Sequence, residues 1–398
     1  MSRWTVRTSL DVIYLNNAAT SFPKPLAVAK AAYEALTVCV GDPGRGSGRG
    51  VSRARRIVMG TRSAVARLFG IADPSRVIFT KNGTEALNIA IKGLVGPGHH
   101  VVTTALEHNS VNRPLAHLER RGVEVTRVEP LPSGVVDPSE IDRSVRANTR
   151  LIAVIHVSNV FGAANAIAEI GAVARKHRVP FLVDAAQSAG HLPIHVGRDH
   201  IDLLACPGHK GLLGSQGTGV LYVRPGLELA TLTEGGTGTQ SEVELQPEEL
   251  PNRFEAGSLN LPGVAGLGAG VRFLLDQGWG RIQRKEKLLL QLLVDGLRRC
   301  PGVELHGDVA MQRVVPIISF NLEGRDPAQV AAALDRRGIF VRSGLHCNPG
   351  AHRFLGTFPS GSVRLSATCL TDEAAVERTL VVIRQLVRRR VATTTSSR

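Results

Sequence analysis

The chain has 398 residues, 43% of them hydrophobic, which is enough for two ordinary domains with apolar cores. No run of about 18 apolar residues occurs, and the first twenty residues lack the basic-then-apolar order of a secretion signal, so neither a membrane span nor export is expected. The five cysteines lack CxxC spacing, which argues against a disulfide framework or a metal site and favours a reducing cytoplasm.

The net charge of +14 leaves two interpretations of the surface open. One is a nucleic-acid or scaffold binding protein without catalysis. The other is a solvated basic surface that attracts anionic substrates or an acidic partner. Arginines are concentrated at the C-terminus and between Arg45 and Arg67, a segment without a single acid. Aromatic residues make up only 4% of the chain and form no stacking platform, so nucleic-acid binding is the less favoured interpretation.

Strand-like and helix-like patterns alternate at short spacing through the first half of the chain, which predicts a parallel, doubly wound sheet. The predicted elements, in chain order, are a strand at 13–15, helices ending near 38 and at 51–69, a strand at 77–80, a helix at 84–94, a strand at 101–104, a helix ending at 121, a strand at 123–128, a helix at 137–147, a strand at 151–157, a helix at 168–177 and strands at 181–183 and 201–205.

The pattern changes after residue 239 and predicts a smaller α/β unit. Its elements are a helix at 283–300, strands at 303–306 and 314–321, a helix at 327–337, strands at 340–342 and 363–366, and a last helix with Thr371 as its N-cap. We predict four parts, which are an N-terminal segment (1–20) packing with the smaller domain, a large domain (21–265), a small C-terminal domain (266–391) and a disordered tail (392–398).

The strongest functional signal comes from two apolar runs that end on polar residues. The first ends on Asp184, and the second is followed by Gly208, His209, Lys210 and Gly211. Open α/β sheets bind ligands at the carboxyl ends of their strands, where these residues fall. A lysine among apolar neighbours forms Schiff bases, and a carboxylate keeps a pyridinium nitrogen protonated. The pair matches the needs of pyridoxal phosphate, whereas a lone lysine here would be typical of a surface turn.

Other polar residues also follow predicted strands. Gly83 and Thr84 lie between a strand and a helix, where backbone amides and the helix dipole favour a phosphate. His108 would stack on a flat ring, and Asn159 would donate to a phenolic oxygen or a carboxylate. Taken alone, each is equally typical of a helix cap, a surface histidine or a turn.

Together these residues resemble the fold-type I pyridoxal-phosphate enzymes of the class V aminotransferase group, and within it the cysteine desulfurase and selenocysteine lyase family. The resemblance covers nearly the whole chain, from LNNAATSFPKP to VRLS. Its most specific stretches are NGTEALN, EHNSV, VSNVFG, VDAAQSAG, PGHKGLLGSQGTG, RFEAGSLN and RSGLHC. It implies a homodimer with a large, mostly parallel sheet domain that binds pyridoxal phosphate and a smaller α/β domain.

The resemblance also implies a role for each matching residue. Lys210 would bind the cofactor covalently and move protons, Asp184 would pair with the ring nitrogen, and His108 would stack on the ring. Arg364 would hold the substrate carboxylate with help from Asn159, and Arg342 is the second candidate for that contact. The remaining cofactor contacts would come from Gly83, Thr84, Gln187, His209 and, in the neighbouring subunit, Ser258.

Cys347 separates a desulfurase from an ordinary aminotransferase. It lies in the polar stretch RSGLHCNP, where His346 and nearby arginines favour a thiolate, and it matches the family's catalytic cysteine. The alternative is a small apolar filler, as free cysteines usually are. By the resemblance, the enzyme would convert L-cysteine to L-alanine and leave a persulfide on Cys347, with a protein as one candidate for the sulfur acceptor.

Three departures from the family pattern bear on the substrate. Pro207 replaces a serine that would donate to the phosphate, Leu345 replaces a histidine, and the residues after Arg364 lack the expected aromatic and asparagine. An aminotransferase, or another C–S or C–Se lyase with the same cofactor, therefore stays open as an alternative. L-Cysteine, L-selenocysteine and cysteine sulfinate all stay candidate substrates, and the role of the 45–67 segment is undecided.

Overall fold

The computed structural model describes residues 12–39, 49–307 and 314–395. Parts of three predictions lie outside these residues, namely the first eleven residues of the N-terminal segment, the start of the basic segment at Arg45, and the last three residues of the tail. The described residues form a seven-stranded sheet, a four-stranded sheet and a two-stranded pair. None of the described helices is both long enough and apolar enough to cross a membrane.

In chain order the strands are β1 (Ile13–Tyr14), β2 (Val77–Thr80), β3 (His100–Thr104), β4 (Glu124–Val128), β5 (Thr149–Ile155), β6 (Phe181–Asp184), β7 (Leu203–Pro207), β8 (Gly219–Val223), β9 (Val303–His306), β10 (Ile317–Leu322), β11 (Ile339–Phe340), β12 (Arg342–Gly344) and β13 (Ser362–Ser366). The helices are α1 (Leu26–Val38), α2 (Arg49–Phe69), α3 (Gly83–Leu94), α4 (Asn109–Glu119), α5 (Pro138–Ser144), α6 (Ile167–His177), α7 (Leu261–Gln277), α8 (Trp279–Arg298), α9 (Pro327–Asp335), α10 (Pro349–Phe354) and α11 (Glu373–Thr395).

The large sheet has the strand order β2-β8-β7-β6-β5-β3-β4, and only β8 runs antiparallel to its neighbours. Successive side chains of a strand point to opposite faces. In β2, Val77 and Phe79 therefore join the apolar core on one face and Ile78 the core on the other. Helices α2, α6 and α7 pack on the first face, and α3 and α4 on the second. The predicted doubly wound, mostly parallel sheet is confirmed.

The sequence pattern did not predict β8 or α7. All five residues of β8 are buried between β2 and β7, so this strand lacks the alternation of a half-buried strand. Helix α7 contains several glycines, which disfavour helices in general. Here one of them permits close packing, since a Cβ on Gly268 would stand 2.2 Å from the hydroxyl oxygen of Thr61 on α2.

Helix α7 also bears on the predicted domain boundary between residues 265 and 266, which falls inside this helix. Its buried side chains, from Leu261 to Leu274, belong to the core that α2 covers. The helix therefore continues the large unit beyond residue 265, and the chain passes to the smaller unit near its end.

The smaller sheet has the order β12-β13-β10-β9 and is antiparallel. Helices α8, α9 and α11 share its apolar core with Leu15, which directly follows β1. The strand predicted at 340–342 is in fact two short strands, and β1 pairs in parallel with the first of them, β11. Two predictions about α11 are corrected. The side chain of Asp372, not that of Thr371, accepts a hydrogen bond from a backbone amide in the first turn of the helix. Residues 392–395 continue the helix instead of starting a disordered tail.

Arg62, in the basic segment of α2, is buried. Its guanidinium donates to both carboxylate oxygens of Glu255 at 2.8 and 2.9 Å, and Glu255 also accepts from the amide of Phe79. The guanidinium lies over the Phe79 ring, 4.5 Å from its centre. This arginine therefore joins α2 and β2 to the segment before α7. Its side chain is not on the solvated surface and is not available to a docking partner.

We expect Glu255→Leu to lower the free energy of unfolding by about 3–5 kcal/mol, because it leaves the charge of Arg62 buried without a partner. The double variant Arg62→Met/Glu255→Leu should lose less, since no charge is left behind. Urea denaturation followed by circular dichroism measures both.

The control is Arg67→Ala, an exposed arginine on the same helix, which should change stability by no more than about 0.5 kcal/mol. A double variant as unstable as Glu255→Leu would contradict the ion-pair explanation.

Candidate active site

The parallel strands of the large sheet end at one common edge, and most of the predicted site residues follow those ends. The strands β2, β3, β5, β6 and β7 all contribute a loop there. One cavity at this edge is lined by the predicted residues Gly83, Thr84, His108, Asn159, Asp184, Gln187, His209 and Lys210. The fold therefore brings together eight of the predicted positions.

Lys210 and Asp184 both line this cavity, where Asp184 is buried and Lys210 is half-buried. The pKa of Lys210 is lowered to about 8, chiefly by burial; the charge of Asp184 raises it, and the guanidinium groups of Arg364 and Arg342 lower it. Burial raises the pKa of Asp184, and the amide of Ala186 and the charge of Lys210 counteract it. A large part of the amine is thus neutral near pH 8, as a nucleophile requires.

The opposite end of the cavity is the N-terminus of α3, whose first amides have no partner within the helix. The hydroxyl of Thr84 shares a hydrogen bond of 2.8 Å with that of Ser110. Pro207 packs directly against Gly83. A Cβ added to Gly83 would stand 3.0 Å from the proline ring. The proline thus fills the space that a serine side chain would occupy, and Ser110 supplies a hydroxyl nearby.

His108 caps helix α4, and its Nδ1 accepts from the amide of Ser110 at 3.1 Å. Burial and the charges of Lys210 and the neighbouring arginines lower its pKa to about 4. His108 is therefore a neutral, flat ring at neutral pH, which suits stacking on an aromatic cofactor better than a charged ring would.

The smaller sheet contributes two arginines. Arg342 on β12 and Arg364 on β13 lie directly opposite each other in the antiparallel register. Like charges in that relation destabilise a sheet, so a pair of this kind is typical of an anion-binding site. Burial and Arg342 lower the pKa of Arg364 to about 9, so it remains a cation at neutral pH.

Arg364 is held by neutral oxygens. It donates to the carbonyl of Asn159 at 2.9 Å and to the side-chain oxygen of Asn16 at 3.2 Å. Its Nε is buried without a hydrogen-bond partner among the described residues. Ser366 lies two residues after Arg364 on the same strand, and its hydroxyl accepts from the amide of Ala18 at 2.9 Å. The N-terminal segment and the loop after β5 thus fix the arginine while its positive charge stays available for an anion.

Cys347 lies beside these arginines. Arg342 Nη2 is 3.3 Å from Cys347 Sγ. Cys347 is partly buried, as is Cys39, whereas the other three cysteines are fully buried. Burial raises the pKa of Cys206 and Cys369, which makes those thiols inert. The structure therefore sets the predicted nucleophile next to a cation.

Two predicted amide side chains are already partly engaged. Asn159 Nδ2 donates to the carbonyl of His346 at 2.7 Å, and Gln187 Nε2 donates to that of Ala18 at 3.0 Å. A side-chain amide has two N–H donors. Each residue therefore keeps one for the cofactor or substrate contact predicted from the sequence.

Ser258 does not line the cavity with Lys210. It lies in a separate cavity, with the residues 254–257 before it and Lys81 and Glu85 of the β2–α3 region. Within a single subunit Ser258 therefore lies outside the cavity of Lys210. Its predicted role requires a second copy of the chain.

Two residues of the site were missed by sequence reasoning. Ser110 lies in the stretch EHNSV, but the sequence pattern indicated no function for it. Lys24 lay in SFPKP, and it donates to the carbonyl of His209 at 2.7 Å. The same carbonyl also accepts from Thr20 and Ser21. The signal was a lysine between two prolines, but its partner is 185 residues away.

The donor set of this cavity fits pyridoxal phosphate. A phosphate would be held by the α3 N-terminus, Thr84 and the buried Nδ1 of His209, which has no hydrogen-bond partner in the described part of the chain. The neutral His108 and the carboxylate of Asp184 would hold the ring, and Lys210 would bind the aldehyde. Such a constellation is able to remove and return a proton at the α-carbon of an amino acid.

Comparisons with known proteins agree with this arrangement. Over residues 13–379 the chain matches the family Aminotransferase class-V. A probable cysteine desulfurase of Methanothermobacter thermautotrophicus is 39% identical over 89% of this chain and 90% of its own length. The cysteine desulfurase IscS of Methanosarcina thermophila is 30% identical over 96% of this chain and 94% of its own. The solved apo structure of a cysteine desulfurase from Thermococcus onnurineus NA1 has a TM-score of 0.89, with 36% identity and 95% of each chain covered.

The α/β fold predicted from the sequence is thus shared with a solved cysteine desulfurase over nearly the whole chain. Family match, relatives and structural likeness agree, and the chain belongs to the class-V aminotransferase family.

Proposed function

We propose that the protein is a pyridoxal-phosphate-dependent cysteine desulfurase that converts L-cysteine to L-alanine. The observation that carries this proposal is the position of Cys347. Its sulfur lies 3.3 Å from Arg342 Nη2, Arg342 lies opposite Arg364 in the smaller sheet, and both arginines are near enough to Lys210 to lower its pKa. An aminotransferase needs no thiol in this position.

The residues of the cavity divide into groups that bind the cofactor and groups that act on the substrate. Gly83, Thr84 and His209 would hold the phosphate, His108 the ring face, Asp184 the ring nitrogen and Gln187 the phenolic oxygen. When bound, pyridoxal phosphate withdraws electrons from the substrate and so eases the removal of its α-proton. Lys210, neutral near pH 8, takes and returns that proton.

Arg364, with Arg342 beside it, would hold the substrate carboxylate and so direct the substrate sulfur toward Cys347. The Cys347 thiolate bonds to that sulfur as the C–S bond of the substrate breaks, and the bonding electron pair stays with the β-carbon. A proton taken up there completes the methyl group of alanine. The sulfur remains on Cys347 as a persulfide until an acceptor takes it.

We also propose that the enzyme works as a homodimer in the cytoplasm and passes its sulfur to a protein acceptor. The dimer is supported by Ser258, which lies in a cavity separate from that of Lys210 within one subunit. Size-exclusion chromatography with light scattering tests the dimer. A strictly monomeric active enzyme would remove this part of the proposal.

Cys347→Ala should still take up the cofactor and bind cysteine, because none of the cavity residues is changed. It should form no alanine and carry no persulfide, because nothing accepts the substrate sulfur. Alanine is measured by chromatography, and mass spectrometry of the cysteine-treated wild type should find one extra sulfur on the Cys347 peptide.

Cys39→Ala is the matched control, since Cys39 is the other partly buried cysteine and should be dispensable. If Cys347→Ala made alanine and sulfide at the wild-type rate, the desulfurase mechanism would be wrong and the aminotransferase or lyase alternative would take its place.

The rate at which the cofactor-free protein takes up pyridoxal phosphate should depend on the pH, because only the neutral amine of Lys210 reacts. The rate should rise as the pH passes through about 8 and level off above it. Since Asp184 raises the pKa of Lys210 and Arg364 lowers it, Asp184→Asn should move the midpoint down and Arg364→Met should move it up. Stopped-flow absorbance measures the midpoint.

Lys210→Ala is the control and should never develop the visible absorption of a lysine-bound cofactor. A wild-type midpoint near 10.5, the ordinary value for lysine, would show that Lys210 is not desolvated when it reacts.

Arg364→Ala should raise the KM for cysteine strongly while cofactor binding persists. Loss of a charge-assisted contact from a buried site costs on the order of 2–5 kcal/mol. Steady-state kinetics with Arg342→Ala alongside decides which arginine holds the carboxylate. An unchanged KM in Arg364→Ala would assign the contact to Arg342.

A further inference from the structure

The backbone at the proposed nucleophile adopts a conformation that favours glycine. His346 has φ = +50° and Cys347 has φ = +59°, so two consecutive residues with side chains lie in the left-handed region. Left alone, such a pair relaxes to right-handed or extended backbone. The surroundings must therefore impose this turn, and such imposed strain is concentrated at functional sites.

The next residue, Asn348, makes the bonds that can impose it. Its side chain is fully buried, and its Nδ2 donates to the carbonyl of Leu106 at 2.7 Å and to Asn159 Oδ1 at 2.9 Å. Its Oδ1 accepts from the amide of Ala351 at 3.0 Å and so caps α10. Both the nitrogen and the oxygen of this side-chain amide therefore make hydrogen bonds within the protein.

The partners of Asn348 belong to the segments that carry the cavity. Leu106 leads to His108 and Asn109, and the amide of Asn109 donates to the carbonyl of Cys347 at 2.9 Å. Asn159 donates to the carbonyl of His346 at 2.7 Å. The turn is thus fastened on both sides of the cysteine to loops of the large sheet.

After Asn348 the backbone passes very close to the loop between β3 and α4. A Cβ on Gly350 would stand 2.0 Å from the carbonyl oxygen of Ala105. The chain therefore passes the β3–α4 loop at a distance that only glycine permits, which leaves the Cys347 turn no room to shift in that direction.

We propose that Asn348 is a positioning residue whose amide clamps the His346–Cys347 turn to the loops at Leu106 and Asn159 and thereby keeps the Cys347 sulfur beside Arg342. The proposal rests on the proposed function for its kinetic consequence. With the turn clamped, the persulfide stays in place, so an acceptor thiolate must reach in and attack its outer sulfur. The S–S bond then breaks, and Cys347 leaves as a thiolate next to the guanidinium of Arg342.

The central test is Asn348→Ser. Serine still caps α10 by accepting from Ala351, but it lacks the amide hydrogens that reach Leu106 and Asn159. Hydrogen exchange of the Asn109 amide, which donates to Cys347, should become about tenfold faster, as expected when hydrogen bonds that hold a local structure are lost. Alkylation of Cys347 by iodoacetamide should slow several-fold, because the sulfur leaves the guanidinium.

In turnover, Asn348→Ser should lower kcat for alanine formation about tenfold and leave the KM for cysteine within about twofold, because Arg364 is untouched. The control is Asp326→Ala, which removes the N-cap of α9 away from the site and should change neither exchange at Asn109 nor kcat. If Asn348→Ser does not fold, Gly350→Ala tests the same clamp from the backbone side and should loosen the same turn.

Wild-type exchange at Asn109 and wild-type alkylation in Asn348→Ser would overturn the proposal, and so would equal effects in Asp326→Ala. If the wild type makes no alanine from cysteine, the proposed function fails, but exchange and alkylation still decide the role of Asn348.

Discussion

Removal of the Lys210 ammonium group from water is the constraint on which the rest of the site depends. Burial makes the amine a nucleophile near neutral pH, but the same site sets Lys210 close to two further cations, Arg342 and Arg364, and to a single carboxylate, Asp184. Mutual repulsion of these cations opposes the folded state. The apolar cores on both faces of the large sheet and under the smaller sheet must hold the groups together, and anions bound at the site would relieve the repulsion.

The two sheets divide the work. The large sheet supplies the loops that fit the cofactor, and the smaller sheet supplies both arginines and the cysteine. Direct hydrogen bonds join the two sets, from Arg364 to the carbonyl of Asn159 and from the amide of Asn109 to the carbonyl of Cys347. The distance between the Lys210 cavity and Cys347 is thus fixed by hydrogen bonds between the two parts, not by the packing of either sheet alone.

Much of the cavity was predictable because its residues follow strands, and parallel strands end at one edge. That rule predicts where Asp184, Lys210 and His108 lie, whereas the role expected of each also depends on the family resemblance. Asn348 and Asn16 were not predictable, because their roles depend on partners far away in the sequence, which local patterns do not encode. Arg62 shows the same limit in reverse, since it lies in a basic run typical of a solvated face but forms a buried pair with Glu255. Helix α7 was missed because its glycines, unfavourable in an isolated helix, are required by close packing against α2.

The ends of the chain meet at the site, and this has a consequence for how the protein is made. Asn16 and Arg364 are 348 residues apart, as are Ala18 and Ser366. During synthesis the large sheet can be complete while the strand with Arg364 is still inside the ribosome. Asn16 and Ala18 therefore form these hydrogen bonds only after the last strand has been made. Closing so long a loop favours a late step in folding. In a nascent chain the Lys210 cavity can thus form before Arg364 is set in place beside it.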